Sequence, residues 1–335
     1  MTTVLHGGDA CVPGRHQPAL ALDFALGRDL SQRQILAGTG LPELDAARAI
    51  TPFQYLQLLS NVSTGLGRAD TSFLLGQQML PGHYGALSHA LLHADSLRQA
   101  LGLLERHQMA LCPLLAPHLC EEGEIAVLHW TDSVGCGQLR GFVVEMVMTA
   151  IKAMSRWLAG EPLPWRFCFN RTQPRHTEQH EVHLGPALRF DCHLDAMLID
   201  AAWLDRPWPR ANAVAVRACV GETPAHGFLA AVYRHLMDHI RCAPTLEQTA
   251  TAFGVSPATL KRYLAQHGSH FQSELDQART HVALRLFQRG CDNEAVARHL
   301  GFHDANNFRR SFKRWTGITP MLLRESLSAY RLQSR

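Results

Sequence analysis

The residues with the most chemistry to offer stand near the C-terminus. Between Asp304 and Trp315 the chain carries Asn306, Asn307, Arg309, Arg310, Lys313 and Arg314 around Phe308, Phe312 and Trp315, which recur at i, i+4 and i+7. A helix with that spacing buries its aromatic stripe and turns the amides and cations outward. A guanidinium pairs bidentately with the O6 and N7 of guanine, and a carboxamide does the same with the N6 and N7 of adenine. Arg310, Asn306 and Asn307 suit base edges, whereas Arg309, Lys313 and Arg314 suit phosphate, which positions a protein without specifying sequence. An upstream segment, Pro257–Gln266, repeats the theme: Leu260 and Leu264 lie four apart, with Ala258, Lys261 and Arg262 elsewhere around the helix. Arg262 suits guanine, Lys261 a guanine edge or a phosphate, and Ala258 at most a thymine methyl.

Other chemistry is not signalled. There is no Gly-rich phosphate loop, no Gly-x-Ser-x-Gly elbow and no pair of carboxylates at a recognisable spacing. The 9 cysteines are scattered without a Cys-x-x-Cys pair, which predicts buried thiols in a reducing cytoplasm, with no disulfide framework, no metal and no cofactor. Of the 20 histidines, the pairs His89/His93, His176/His180 and His235/His239 share a four-residue spacing; His176 and His180 fall in a polar, loop-like stretch (Thr172–His180), and neither of the other two pairs has a third ligand nearby in sequence. His83 and Tyr84 stand beside an apolar helix and read as turn or core residues. Met146, Met148 and Met154 read as core, and Glu121–Glu124 as a solvated hairpin tip.

The elements that must hold the basic residues can be read from local signals. Thr245 and Gln248 form a capping box opening a helix Leu246–Phe253; Gly254 makes a turn; Ser256 caps the next helix with Pro257 in its first turn. This is a helix-turn-helix over 245–266. A second follows over 293–315: Asn293 caps Glu294–Leu300, Gly301 turns, and Asp304 caps a helix to about Trp315. Leu275, Ala278, Val282 and Leu286 predict a connecting helix between the two units. Two recognition helices on one side of a duplex must lie about one helical turn, roughly 34 Å, apart.

Charge follows the same division. Residues 1–225 hold 17 Lys+Arg against 21 Asp+Glu, a net −4, while residues 226–335 hold 15 against 8, a net +7, making up the chain's +3. A basic module on an acidic body predicts a polyanion reader joined to a domain with another task. With 335 residues, 46% of them apolar, each of two domains can bury a core. No run of about 18 apolar residues is present, so no membrane span is expected, and the N-terminus has no secretory pattern. In the first two thirds, helical periodicity covers Leu20–Leu36, Pro52–Leu59, Phe73–Met79, a segment from Ser96 to about Leu111, and Leu139–Leu158. Strand patterns cover 124–130, 165–169, 182–190 and 196–199, and residues 1–18 read as frayed. The expected fold is an α+β N-terminal domain (15–205), a linker (206–225) and an all-α DNA-binding domain (226–335) with two helix-turn-helix units joined by a connecting helix.

The stretch Leu300–Pro320 resembles the C-terminal signature of AraC/XylS-type transcription regulators, and Leu246–Ala250 with Val255–Arg262 resembles their first helix-turn-helix. The likeness spans about 100 residues. Gly82–Ala100, Leu188–Asp191 and Leu198–Pro207 are similar to the arabinose-binding-type sensor domain of one branch of that family. The resemblance implies base contacts by Ala258, Lys261, Arg262, Asn306, Asn307 and Arg310. It also implies a cytoplasmic one-component regulator of double-stranded DNA, an unidentified small-molecule effector, contact with RNA polymerase, homodimerisation, and activation as the norm with repression as the alternative. DNA-alkylation repair enzymes carry the same DNA-binding module but need an activated cysteine, commonly in Pro-Cys-His. Here Cys112-Pro113 has the reverse order, and Asp191 precedes Cys192-His193.

Overall fold

The computed structural model describes residues 3–45, 47–219 and 225–321. Contacts divide the chain into two units, Met1–Ala230 and Ala231–Arg335.

The first unit is mixed α and β. It opens on two short strands where fraying is expected: β1 (Thr3–Leu5) pairs in parallel with Ala225–Gly227, and β2 (Val12–Pro13) pairs antiparallel with β3 (Ala49–Ile50). The ends are therefore tied down by ladders to residues distant in sequence. The helical stretch Leu20–Leu36 divides into α1 (Gln17–Leu26) and α2 (Gln32–Ile35). Asp29 at φ 67° turns the chain between them, and Ser31 with Gln34 forms a capping box that restarts the helix. Thr51 and Gln54 cap α3 (Pro52–Leu66) in the same way. Next come α4 (Thr71–Met79) and α5 (Ala86–Leu92), and then α6 (Leu97–Arg106), capped by Ser96. The helix expected to run from Ser96 to about Leu111 breaks at His107, leaving α7 (Gln108–Leu111) separate.

A five-stranded sheet has the order β4 (Leu115–Glu122), β5 (Ile125–Asp132), β8 (Ala196–Asp200), β6 (Arg166–Cys168), β7 (Leu188–Arg189). β4 and β5 form a hairpin pairing Glu122 with Ile125, and Gly123 at φ 63° supplies the left-handed turn residue. β6 and β7 run parallel, the other neighbours antiparallel. The segment 182–190 departs from its strand pattern: Glu178–Leu184 is a helix, α9, and only Leu188–Arg189 pairs. The long helix α8 (Arg140–Ala159) crosses α4 so closely that a Cβ on Gly76 would lie 2.3 Å from the Met146 carbonyl oxygen. Trp130, Phe167 and Phe169 anchor the core. The stretch 206–225, expected as a linker, contains α10 (Ala213–Cys219), which packs on α5; residues 220–224 of it lie outside the described residues.

The second unit is helical among the described residues. After α11 (Phe228–His239) come α12 (Leu246–Ala252), α13 (Pro257–Gln266), α14 (Phe271–Gln288), α15 (Asn293–His299) and α16 (Ala305–Thr316). The Tyr233 hydroxyl and His281 Nδ1, both buried, lie 2.8 Å apart and tie α11 to α14. The cap of α15 is Asp292, with Asn293 inside the first turn, one residue along from the expected cap. The expected C-terminal module extends to 335, and its residues 322–335 lie outside the described residues.

Candidate nucleic-acid interface

Each half of the second unit is a pair of short helices joined by a tight turn. In the first, the Thr245 hydroxyl accepts the Gln248 backbone N–H at 3.3 Å while the Gln248 side chain accepts the Thr245 N–H at 3.0 Å. Gly254 takes φ 67°, a conformation an L side chain strains to adopt. Ser256 then caps α13, accepting the Thr259 N–H at 3.1 Å. Leu260 and Leu264 are buried, and the opposite side of α13 presents Ala258, Lys261 and Arg262 to solvent.

The second half repeats the plan with more charge. Gly301 turns at φ 73°, and Asp304 caps α16. Phe308 and Phe312 are fully buried and pack on Phe287 of α14, with ring centroids 6.1 and 5.8 Å away. Arg279 of α14 lies over the rings of Phe302 and Trp315, 5.3 and 5.8 Å from their centroids. Burial lowers its pKa, with the neighbouring Asp276 carboxylate opposing that shift. These contacts fix α16 about its long axis. Asn306, Asn307, Arg309, Arg310, Lys313 and Arg314 are consequently all exposed.

Three of these side chains are already engaged. The Asn307 amide donates to Asp304 Oδ2 at 2.9 Å, and the Arg309 guanidinium donates back to the side-chain oxygen of Asn306, Oδ1. The hydrogen bond from the Asn307 backbone holds the Asp304 carboxyl below the usual carboxylate range, so the cap stays ionised. α13 and α16 thus each carry an outward face of cations on an inward face of buried apolar groups. Every residue expected to touch DNA lies on one of those two faces.

Residues 30–208 match the arabinose-binding domain of AraC transcription regulators, and residues 249–326 match a helix-turn-helix domain. The chain belongs to the AraC family of transcription regulators. Its relatives include the ornithine utilization regulator of Pseudomonas aeruginosa, 28% identical over 280 residues, covering 81% of this chain and 83% of that protein. An uncharacterised HTH-type transcriptional regulator of Mycobacterium bovis is 23% identical over 318 residues, covering 88% and 90%. Among solved structures, the transcriptional regulator CdpR from Pseudomonas aeruginosa aligns with a TM-score of 0.47 at 19% identity, covering 92% of this chain and 98% of that one. As an AraC-family member the chain joins a DNA-binding helix-turn-helix module to a sensor domain. No helix among the described residues is long and apolar enough to cross a membrane.

Among the described residues, the sensor unit has hollows of different character. One, lined by Tyr55, Cys112 and Val147 among others, has a volume of about 20 Å³, too small for a metabolite. Another is a cleft of about 430 Å³ between α1 and the 78–84 segment, lined by Arg15, Asp23, Arg28 and His83 among others. Sequence patterns single out only His83 and Tyr84 of its lining. Tyr84 is buried and its hydroxyl donates to the Met79 carbonyl, consistent with a structural part. Arg15, Asp23 and Arg28 belong to no motif, and only their convergence in the fold distinguishes them.

Proposed function

We propose that α13 and α16 are the two recognition helices of a sequence-specific regulator. Arg262 and Arg310 read guanine, and Asn306 and Asn307 read adenine. Lys261 and Ala258 complete the base-facing set, and Arg309, Lys313 and Arg314 hold phosphates. The observation that carries this reading is the outward cation-bearing face, with its cap and left-handed glycine turn, built twice in the C-terminal unit. The regulator acts as an activator through RNA polymerase, dimerises through its N-terminal domain and works in the cytoplasm. Its effector shifts populations between domain arrangements, which requires different affinity for each. The name of the Pseudomonas relative, an ornithine utilization regulator, supports an amino-acid-derived metabolite as the effector class.

The chain is not an enzyme on this reading. Burial pushes the Cys112 thiol up to about 12, and contact with Cys168, followed by burial, raises that of Cys192. Neither resembles the activated thiolate that alkyl transfer requires. Footprinting on the upstream region with the full chain and with fragments 1–225 and 226–335 tests the division of labour. Fragment 226–335 is expected to protect the specific site with strong salt dependence, and 1–225 none. Protection by 1–225 alone, or none by 226–335 at low salt, overturns it.

A further inference from the structure

We infer that the cleft beside α1 binds a small zwitterion of the α-amino-acid class, with Arg28 on its carboxylate, Asp23 on its ammonium, and Arg15 adding positive charge at the other end of the cleft. The inference rests on the reading of the N-terminal domain as the effector-sensing half.

Helical spacing builds the floor. Ala19, Leu20, Asp23 and Phe24 follow at i, i+1, i+4 and i+5 along one face of α1, with His16 at its N-terminal cap, and all line the cleft. Arg15 precedes that face and Arg28 follows it. Arg28 is held in place: its guanidinium carbon lies 3.6 Å from the Phe24 ring centroid, and the group donates to the Phe24 carbonyl at 3.0 Å. The opposite wall is equally fixed. A Cβ on Gly82, which sits at φ 66°, would come within 2.4 Å of the Tyr84 ring, so only glycine lets Tyr84 fold in against His16. Those two rings have centroids 5.1 Å apart.

The charges discriminate among ligands. Among the described residues no ion pair joins Asp23 to Arg15 or Arg28, although all three line one cleft. Opposite charges kept in one cleft without pairing suit a ligand that carries both signs. A phosphate or dicarboxylate lacking an ammonium meets the Asp23 carboxylate, and an amine without a carboxylate leaves the guanidiniums unmatched. Two guanidiniums against one carboxylate favour a ligand of zero or negative net charge over a doubly cationic one. The volume of about 430 Å³ falls within the range of small-molecule sites, about 300–1,000 Å³.

Calorimetric titration of the full chain with each proteinogenic L-amino acid tests this. A neutral or acidic amino acid is expected to bind, and its decarboxylated and deaminated analogues to bind about tenfold more weakly or not at all. Arg28→Ala and Asp23→Asn should each raise the dissociation constant about tenfold or more, with partial recovery in Arg28→Lys. Binding of none of the amino acids, or binding unchanged in both variants, overturns the assignment. Hydrogen exchange of the full chain with a small-metabolite filtrate of cell extract separates the two levels. Protection of N-terminal amides that persists in Arg28→Ala and Asp23→Asn leaves the sensor standing and removes the cleft. No change in any amide removes both.

Discussion

Asp304 accepts two hydrogen bonds from Asn307, one from its backbone N–H at 2.7 Å and one from its side-chain amide at 2.9 Å. One carboxylate therefore both caps α16 and orients the amide proposed to read adenine. The amide keeps a second N–H and its carbonyl oxygen, which are the two groups adenine needs. Asp304→Ala should cost about 1 kcal/mol of stability in the C-terminal unit through loss of the cap. It should also weaken discrimination at the base that Asn307 is proposed to read, while Asp304→Asn preserves most of the stability. Chemical denaturation and binding to single-base operator variants check the two effects separately. Unchanged discrimination in Asp304→Ala would remove the orienting part.

Arg262→Ala and Arg310→Ala should each lose about 1–3 kcal/mol at the specific site and relax preference at one base pair. Lys313→Ala should weaken binding about equally on specific and random DNA and reduce the salt slope by about 1. Titrations at several salt concentrations decide between the roles. Equal weakening by the arginine variants on both DNAs would make them phosphate contacts.

Phe312 is fully buried between Phe287, Phe308 and Trp315. Phe312→Ala should destabilise the C-terminal unit by about 3–5 kcal/mol, from lost burial and the cavity left behind. Calorimetry of the full chain should show the transition of that unit moving to lower temperature. An unmoved transition would mean that α16 does not depend on this cluster.

In the sensor unit, Glu145 of α8 meets His180 at 3.0 Å, Ser72 at 2.5 Å and the Arg171 guanidinium. Burial works against its charge, yet the hydrogen bond from His180, the charge of Arg171 and the Ser72 hydroxyl outweigh burial, so its pKa is lowered. A carboxyl lowered on folding stabilises the protein above the ordinary glutamate range, and that stability is lost as pH falls through the depressed value. Glu145→Ala should cost about 3 kcal/mol at neutral pH, because it strands the partly buried Arg171 guanidinium. Glu145→Gln should flatten the acid limb of a stability-against-pH curve, and an unchanged limb would assign acid sensitivity to other groups.

The sequence by itself determined the features that act over three or four residues. Thr245 with Gln248, Ser256 before Pro257, and Asp304 ahead of Phe308 each announce a helix start, because a capping side chain reaches only its own first turn. The i, i+4, i+7 stripe of Phe308, Phe312 and Trp315 likewise implies which side chains of α16 face outward. Tertiary structure decided whatever depends on distant partners. β4 escapes the sequence pattern because Pro117 interrupts it; the proline is tolerated since β4 is an edge strand, hydrogen-bonded on one side only. The alternation over 182–190 suggests a strand, but α9 forms where His180 reaches Glu145, 35 residues away. Residues 3–5, expected as part of a frayed end, form a strand because β1 finds Ala225–Gly227. Arg15, Asp23, Arg28 and His83 form a cleft only once α1 and the 78–84 segment lie side by side, since pairings across such separations are set by packing and leave no local periodicity to read.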